Sequence, residues 1–120
     1  MENVVVIGAS ENEERYSNKA MKMLAEYGHR PIPVAPARQT ILDRKVYAHA
    51  SDVTEQVDTV TMYVGPARQQ GLTEQLIALT PKRVIFNPGT ENPAVYGQLQ
   101  AAGIEVIEAC TLVMLRTRQF

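Results

Sequence analysis

Short apolar runs alternate along this chain with longer segments of mixed polarity. The first run, residues 3–7, reads NVVVI and stops at Gly8. Four further runs follow at residues 30–35, 59–64, 83–86 and 104–107. Their apolar residues are mostly continuous rather than alternating, which is typical of strands buried on both faces of a parallel sheet. The pattern therefore predicts five strands in a mostly parallel sheet.

Helical periodicity fills the segments between these runs. Ser17 is a suitable N-cap for the first helix. The apolar positions that follow it have the spacing of one helix face: Ala20, Met23, Leu24 and Tyr27. Gly28 is expected to end this helix, because glycine readily adopts the left-handed conformation found just after helix ends.

Two more long helices are predicted, at residues 67–80 and 90–103. The residues expected to face the core are Leu72, Leu76 and Leu79 in the former, and Val95, Leu99 and Ala102 in the latter. Gly103 is expected to stop the last of these helices. Residues 51–57 resemble a short capped helix, residues 36–45 a loop, and the tail a turn followed by a short helix.

Strands that alternate with helices in this way form βαβ units with right-handed crossovers. We therefore expect one α/β domain over residues 1–120, a doubly wound, mostly parallel five-stranded sheet with helices on both faces. The second strand contains Pro31 and Pro33. Because proline cannot donate to a strand ladder, we predict either that this strand lies at the sheet edge or that its prolines take early positions in the strand.

Composition narrows the function. The chain has 120 residues and a net charge of −1, which gives no general attraction to nucleic acid or to an acidic membrane. No apolar stretch approaches a membrane span or a signal peptide. Cys110 is the only cysteine, which excludes an intrachain disulfide and favours a cytoplasmic location. One cysteine and two separated histidines offer no metal-ligand spacing.

Four predicted loops rich in glycine and proline follow strands, at residues 8–10, 34–38, 64–67 and 87–92. In doubly wound folds, ligands bind at the carboxyl ends of the strands. Small residues there let backbone N–H groups approach an anion, and a helix N-terminus adds partial positive charge. The four loops together favour a nucleotide-like ligand, although any one of them is equally typical of an ordinary turn.

Familiar nucleotide and catalytic motifs are incomplete. The glycine fingerprint of dinucleotide-binding folds needs two more glycines after Gly8, and the acidic residue expected after the second strand is replaced by Val34-Ala35-Pro36. NAD is therefore disfavoured. No P-loop is present. A nucleophile elbow would begin at Ser10, but Asn12 stands where it needs glycine, so no complete catalytic constellation is visible.

Arg15, Lys19 and Arg38 are close in sequence to the predicted rim. An adenosine ribose that carries a 3′-phosphate, as in coenzyme A, favours cations where NAD favours a carboxylate. Each of these cations is also typical of a solvated surface charge. Glutamates at positions 11, 13 and 14 would oppose a phosphate unless they face solvent or pair with Arg15.

The chain resembles the small stand-alone CoA-binding proteins, Rossmann-like domains related to the CoA-binding domain of the succinyl-CoA synthetase α subunit. The resemblance covers nearly the whole chain and rests on VVVIGAS at 4–10, ERYSNKAMKMLAEYGHRPIPVAP at 14–36, KVYAHASDV at 45–53, VDTVTMYVGP at 57–66 and AAGIEVIEACTLVML at 101–115. One departure is Ala35, which stands where the family commonly has asparagine. A contact made by that side chain is therefore lost.

The resemblance implies a coenzyme A site. The implied contacts are Gly8, Ala9 and Ser10 near the pyrophosphate, Arg15 and Ser17 on phosphate groups, Pro36 and Arg38 beside the adenosine, Val64, Gly65 and Pro66 at the adenine or ribose, and Asn87, Pro88 and Gly89 along the pantetheine arm. Cys110 is either a thiol near the ligand's thiol or a small buried hydrophobe, and the second interpretation is favoured.

The function that this predicts is binding of coenzyme A or a short acyl-CoA, without a complete catalytic site. An NAD(P)-dependent oxidoreductase and a nucleotide-binding regulatory subunit remain as alternatives. The expected partner is a small molecule, neither nucleic acid nor membrane. The sequence leaves open whether the chain forms a homo-oligomer or binds a partner protein.

Overall fold

A computed structural model describes residues 1–36 and 40–120. The elements in these ranges are β1 (Asn3–Ile7), α1 (Tyr16–Glu26), β2 (Arg30–Val34), β3 (Thr40–Ile41), β4 (Arg44–Lys45), β5 (Thr59–Met62), α2 (Leu72–Leu79), β6 (Arg83–Phe86), α3 (Pro93–Ala101), β7 (Glu105–Glu108) and α4 (Thr111–Arg116). Two 3-10 helices lie at Ala50–Asp52 and Pro66–Arg68.

Five of the strands form one parallel sheet in the order β2-β1-β5-β6-β7. This confirms the predicted doubly wound α/β fold. The chain first adds β2 on one side of β1 and then crosses over to place β5 on the other side. The strand order therefore reverses at β1, and ligands in such sheets bind at the carboxyl ends beside that reversal.

Strand β2 lies at the edge of the sheet, as its prolines predict. The carbonyl of Pro33 accepts a hydrogen bond from the Tyr47 amide, and the Ala35 amide donates to the Tyr47 carbonyl, both at 3.0 Å. The backbone N–H and C=O positions of the odd-numbered residues of β2 therefore point away from β1. Pro31 and Pro33 occupy that outer side, where a missing N–H costs no bond to β1.

Helices cover both faces of the sheet. On one face, Met21 of α1 and Leu115 of α4 pack in a cluster with Val4 of β1. On the other face, Leu76 of α2 packs in a second cluster with Val5. Neighbouring valines of β1 thus enter different cores, which is why the strand is apolar at successive positions.

Helix α1 corrects two details predicted from the sequence. It begins at Tyr16 with Arg15 as its N-cap, so Ser17 is not the cap but lies buried in the first turn. The cause is a turn in which the Asn12 side chain accepts from the Glu14 amide at 2.9 Å and brings the chain into the helix early. The core face also differs, since Met21 is fully buried and Tyr27 is 44% exposed.

The remaining differences concern short elements. Gly71, at φ +75°, separates the 3-10 helix at Pro66–Arg68 from α2, so residues 67–80 are not one helix. The predicted loop at 36–45 contains an antiparallel pairing of β3 with β4. Residues 51–57 hold only the end of the 3-10 helix Ala50–Asp52, and Ala102 is exposed.

Candidate functional site

Gly8 lies at the centre of the rim formed by the carboxyl ends of the strands. Its φ is +83°, and a Cβ added there would lie 2.8 Å from Val64 Cγ1 and 3.2 Å from the Tyr63 carbonyl oxygen. The loop after β5 therefore packs directly against the loop after β1. Only glycine fits this position, because any side chain would meet both a strained φ and an occupied space.

The loop after β1 is held by hydrogen bonds to β2 and to the start of α1. The N–H groups of Gly8 and Ala9 both donate to the Val34 carbonyl, at 3.1 and 3.2 Å. They therefore join the end of β1 to the end of β2. The Ser10 hydroxyl accepts from the Asn12 amide at 3.0 Å, and the Asn18 side chain donates to the Ser10 carbonyl at 2.9 Å. These bonds hold Ser10 against the start of α1.

Three connected clefts meet at Gly8. The β2-side cleft has a volume of about 230 Å³ and lies between Pro36 and His49, with Arg68 on its wall. The central cleft, about 180 Å³, lies over Ser10 and is bordered by both Arg15 and Arg68. Together these two clefts cover the ends of β1 and β2.

The β6-side cleft continues from Gly8 in the opposite direction. It has a volume of about 230 Å³ and is lined by Arg15, Ser17, Tyr63, Pro88 and Gly89, among others. Beyond it lies the α4-side cleft, about 310 Å³, which shares Tyr16 and Pro88 with the β6-side cleft and is also lined by Lys19, Cys110 and Arg116. The four clefts form one groove along the rim.

The groove is basic although the protein has a net charge of −1. Among the described residues, none that lines the β2-side, central or β6-side cleft is acidic, whereas Arg15 and Arg68 border them. Such a surface attracts an anionic ligand. It disfavours a ligand, such as NAD, that is bound through a carboxylate side chain of the protein. The glutamates of the loop before α1 are exposed and are absent from the lining of these clefts.

Most of the site residues predicted from the sequence lie together. Those that line the three connected clefts are Gly8, Ala9, Ser10, Arg15, Ser17, Pro36, Val64, Gly65, Pro88 and Gly89. Pro66 is the exposed first residue of the 3-10 helix that follows Gly65. Lys19 lies farther along, in the α4-side cleft. Arg38 falls outside the described residues.

Asn87 is a structural tie as well as a lining residue of the α4-side cleft. Its side-chain N–H groups donate to Thr61 Oγ1 at 2.7 Å and to the Met62 carbonyl at 2.8 Å. Its oxygen accepts from the Thr111 amide at 2.8 Å. Because both N–H groups are bonded inside the protein, Asn87 joins β5, β6 and α4 and fixes where Pro88 and Gly89 lie.

Sequence reasoning missed several residues of the groove, among them Tyr63 and Arg68. Tyr63 follows β5, and burial raises its pKa to about 12. Its hydroxyl is buried without a hydrogen-bond partner in the described part of the chain. The Gly65-Pro66 turn marked this loop in the sequence, but only the three-dimensional path shows that Arg68 faces Gly8.

Residues 1–36 and 40–120 contain neither a candidate metal site nor a candidate membrane-spanning helix. No group of three or more histidine, cysteine, aspartate and glutamate side chains could hold a metal ion there. None of the helices in these ranges combines the length and apolarity that a membrane crossing needs.

Comparison with known proteins identifies the family. The sequence model of the CoA binding domain family matches residues 2–116 of this chain. The chain belongs to this CoA-binding domain family. Among solved structures, an uncharacterized protein is 39% identical with a TM-score of 0.94, and the alignment covers 100% of this chain and 98% of that one.

Other structures with this fold come from several organisms. A hypothetical protein from Pyrococcus horikoshii OT3 is 29% identical, with a TM-score of 0.89 over 97% of this chain and 82% of that one. An acetyl-coenzyme A synthetase from Ca. Korarchaeum cryptofilum, solved with phosphate and ADP, is 19% identical, with a TM-score of 0.78 over 90% of this chain and 25% of that one. At that identity the likeness shows the fold alone.

Proposed function

We propose that this CoA-binding domain holds coenzyme A or a short acyl-CoA along the groove and does not transform it. The observation that carries the proposal is the basic groove at the strand-order reversal, which is bordered by Arg15 and Arg68 and has no acidic residue among the described residues of its three clefts around Gly8. The family match supports the choice of coenzyme A over other phosphate compounds.

The pyrophosphate is assigned to the central cleft. Gly8 and Ala9 give that cleft its shape, since their amides are bonded to Val34. The attraction comes instead from Arg15, which lines this cleft, and from the N-terminus of α1 in the adjoining β6-side cleft, where Ser17 lies in the first turn. Amides at a helix N-terminus that lack intrahelical acceptors are suited to phosphate oxygens.

The two ends of the coenzyme follow from this placement. The adenosine is assigned to the β2-side cleft, beside Pro36 and Val64. The pantetheine arm is assigned to the β6-side cleft, along Pro88 and Gly89, which Asn87 holds in place. An arm in this direction brings the thiol toward the α4-side cleft.

A thermal-shift panel with CoA, acetyl-CoA, NAD and NADP tests the proposal. A ligand at about a hundred times its dissociation constant adds about 2.7 kcal/mol to the free energy of unfolding. CoA and acetyl-CoA are expected to raise the melting temperature, and the coenzyme should be recovered unchanged after incubation. A shift with NAD or NADP but none with CoA would favour the oxidoreductase alternative and overturn the proposal.

The Ser10→Asp variant locates the site. Its carboxylate would stand in the central cleft, so we expect CoA binding to be lost while the melting temperature without ligand is maintained. Thr54→Asp is the matched control, because Thr54 is exposed and does not line the groove. Equal binding by both variants would place the ligand elsewhere.

A further inference from the structure

Arg68 stands between the two clefts that the proposed function gives to the adenosine and the pyrophosphate. It lines the β2-side cleft and the central cleft, whereas Arg15 lines the central and β6-side clefts. Within the described residues, no ion pair or hydrogen bond of the Arg68 side chain is found. The guanidinium therefore borders the adenosine side, and its donors have no partner in the part of the chain that the structure describes.

The charge at this position is the reverse of the one that suits an unphosphorylated ribose. In dinucleotide-binding folds, an acidic residue after the second strand binds the ribose hydroxyls, and an arginine nearby accommodates a ribose phosphate. Here β2 is followed by Ala35 and Pro36, and Arg68 is the charged residue among the described residues that line the same cleft. A guanidinium can bind a phosphate through two parallel N–H bonds.

The backbone segment that carries Arg68 is held in place by hydrogen bonds of the following residue. Gln69, the next residue, is buried, and its side-chain amide donates to the Val64 carbonyl at 3.0 Å and to the Thr90 carbonyl at 2.8 Å. Its oxygen accepts from the Asn92 side chain at 3.1 Å. The 3-10 helix that carries Arg68 is thereby joined to the loop after β6, so little backbone ordering remains for ligand binding.

We propose that Arg68 is a specificity-determining residue that recognises a phosphate on the adenosine ribose. The inference rests on the proposed function and goes beyond it, because it assigns one ligand group to one side chain. Arg68 would then distinguish coenzyme A from dephospho-CoA, which has the same pyrophosphate and pantetheine arm but lacks the ribose phosphate.

Calorimetric titration of the purified full chain with both compounds tests the inference. The wild-type protein is expected to bind CoA more tightly than dephospho-CoA. Arg68→Ala should weaken CoA about tenfold or more and leave dephospho-CoA within about twofold, since a bond to a charged group is lost only where the phosphate is present. The CoA affinity of Arg68→Lys should lie between those of the wild type and Arg68→Ala, because lysine keeps the charge without the planar pair of donors.

Arg118→Ala is the matched control, an exposed arginine that lines none of the groove, and it should bind both compounds as the wild type does. An equal loss of both compounds in Arg68→Ala, or an unchanged preference for CoA, would overturn the assignment of Arg68. Failure of the wild type to bind either compound would instead refute the proposed function. Melting temperatures without ligand confirm that each variant is folded.

Discussion

At the scale of single residues, the contact between Gly8 and the loop after β5 sets the shape of the rim. Gly8→Ala would combine a left-handed φ with a methyl group 2.8 Å from Val64 Cγ1. We expect a loss of about 3 kcal/mol in the free energy of unfolding, the sum of backbone strain and overpacking.

Gly28→Ala separates these two causes. Gly28 has a similar φ of +87°, but nothing lies within 4 Å of an added Cβ. Only the strain remains, so a loss of about 1 kcal/mol is expected in urea unfolding. If the two alanine variants lose the same stability, the packing of Val64 on Gly8 is not what requires glycine.

Tyr63 gives a prediction about pH. Burial raises its pKa from 10.0 to about 12 in the folded protein. Below pH 10 the hydroxyl is neutral in both states, so no stability is lost. Between pH 10 and 12 the unfolded chain ionises first, and the free energy of unfolding should fall by about 2 kcal/mol.

Tyr63→Phe should remove this part of the pH dependence. Its hydroxyl has no partner among the described residues, so the variant should be at least as stable as the wild type at pH 7. Tyr96, whose pKa is also raised to about 12, titrates in both proteins and cancels from the comparison. Urea unfolding at pH 7, 10 and 11.5 measures the difference, and parallel pH profiles would contradict it.

At the scale of elements, the prolines of β2 protect an open sheet edge. Tyr47 covers the outer side of β2 at Pro33 and Ala35, but no such bond from residues 1–36 or 40–120 covers Pro31. Pro31→Val restores an outward N–H at this edge and should promote pairing between chains. Light scattering at increasing concentration is expected to show more self-association than in the wild type. Pro81→Val, outside the strands, is the control, and equal behaviour would mean that the edge is protected in another way.

Strands and the C-terminal ends of helices were the features best predicted from the sequence. Apolar runs such as NVVVI indicate buried strands because successive side chains pack into the cores on opposite faces of the sheet. Gly28 and Gly103 follow the ends of helices, at φ +87° and +83°. The hairpin of β3 and β4 was missed, since its turn places Leu42 and Asp43 at positive φ without the glycine that usually announces such a turn.

The site was predictable in outline and less so in its chemistry. Gly8, Ser10 and Pro88 lie at the groove because strand ends in a parallel sheet share one rim. The sequence could not show that the Gly8 amide is bonded to Val34, that Asn87 is engaged inside the protein, or that Arg68 turns toward the rim. These facts depend on contacts between segments far apart in the chain.

At the scale of the whole molecule, charge is distributed unevenly. The net charge is −1, yet the described charged side chains that border the three clefts around Gly8 include Arg15 and Arg68 and no acid. The sheet reversal provides the concave surface, and the two arginines come from different βα connections on either side of it. The protein as a whole is therefore weakly acidic while its groove attracts anions.

This arrangement predicts that salt weakens coenzyme binding. Mobile ions screen partly exposed charges, and the Debye length falls from about 10 Å at 0.1 M to about 3 Å at 1 M. The dissociation constant for CoA, measured by calorimetry at 50 mM and 500 mM NaCl, should rise about five- to tenfold. In Arg15→Ala/Arg68→Ala the affinity should be lower at 50 mM and nearly independent of salt. A CoA affinity that salt leaves unchanged in the wild type would mean that shape and apolar contact, rather than the two arginines, hold the ligand.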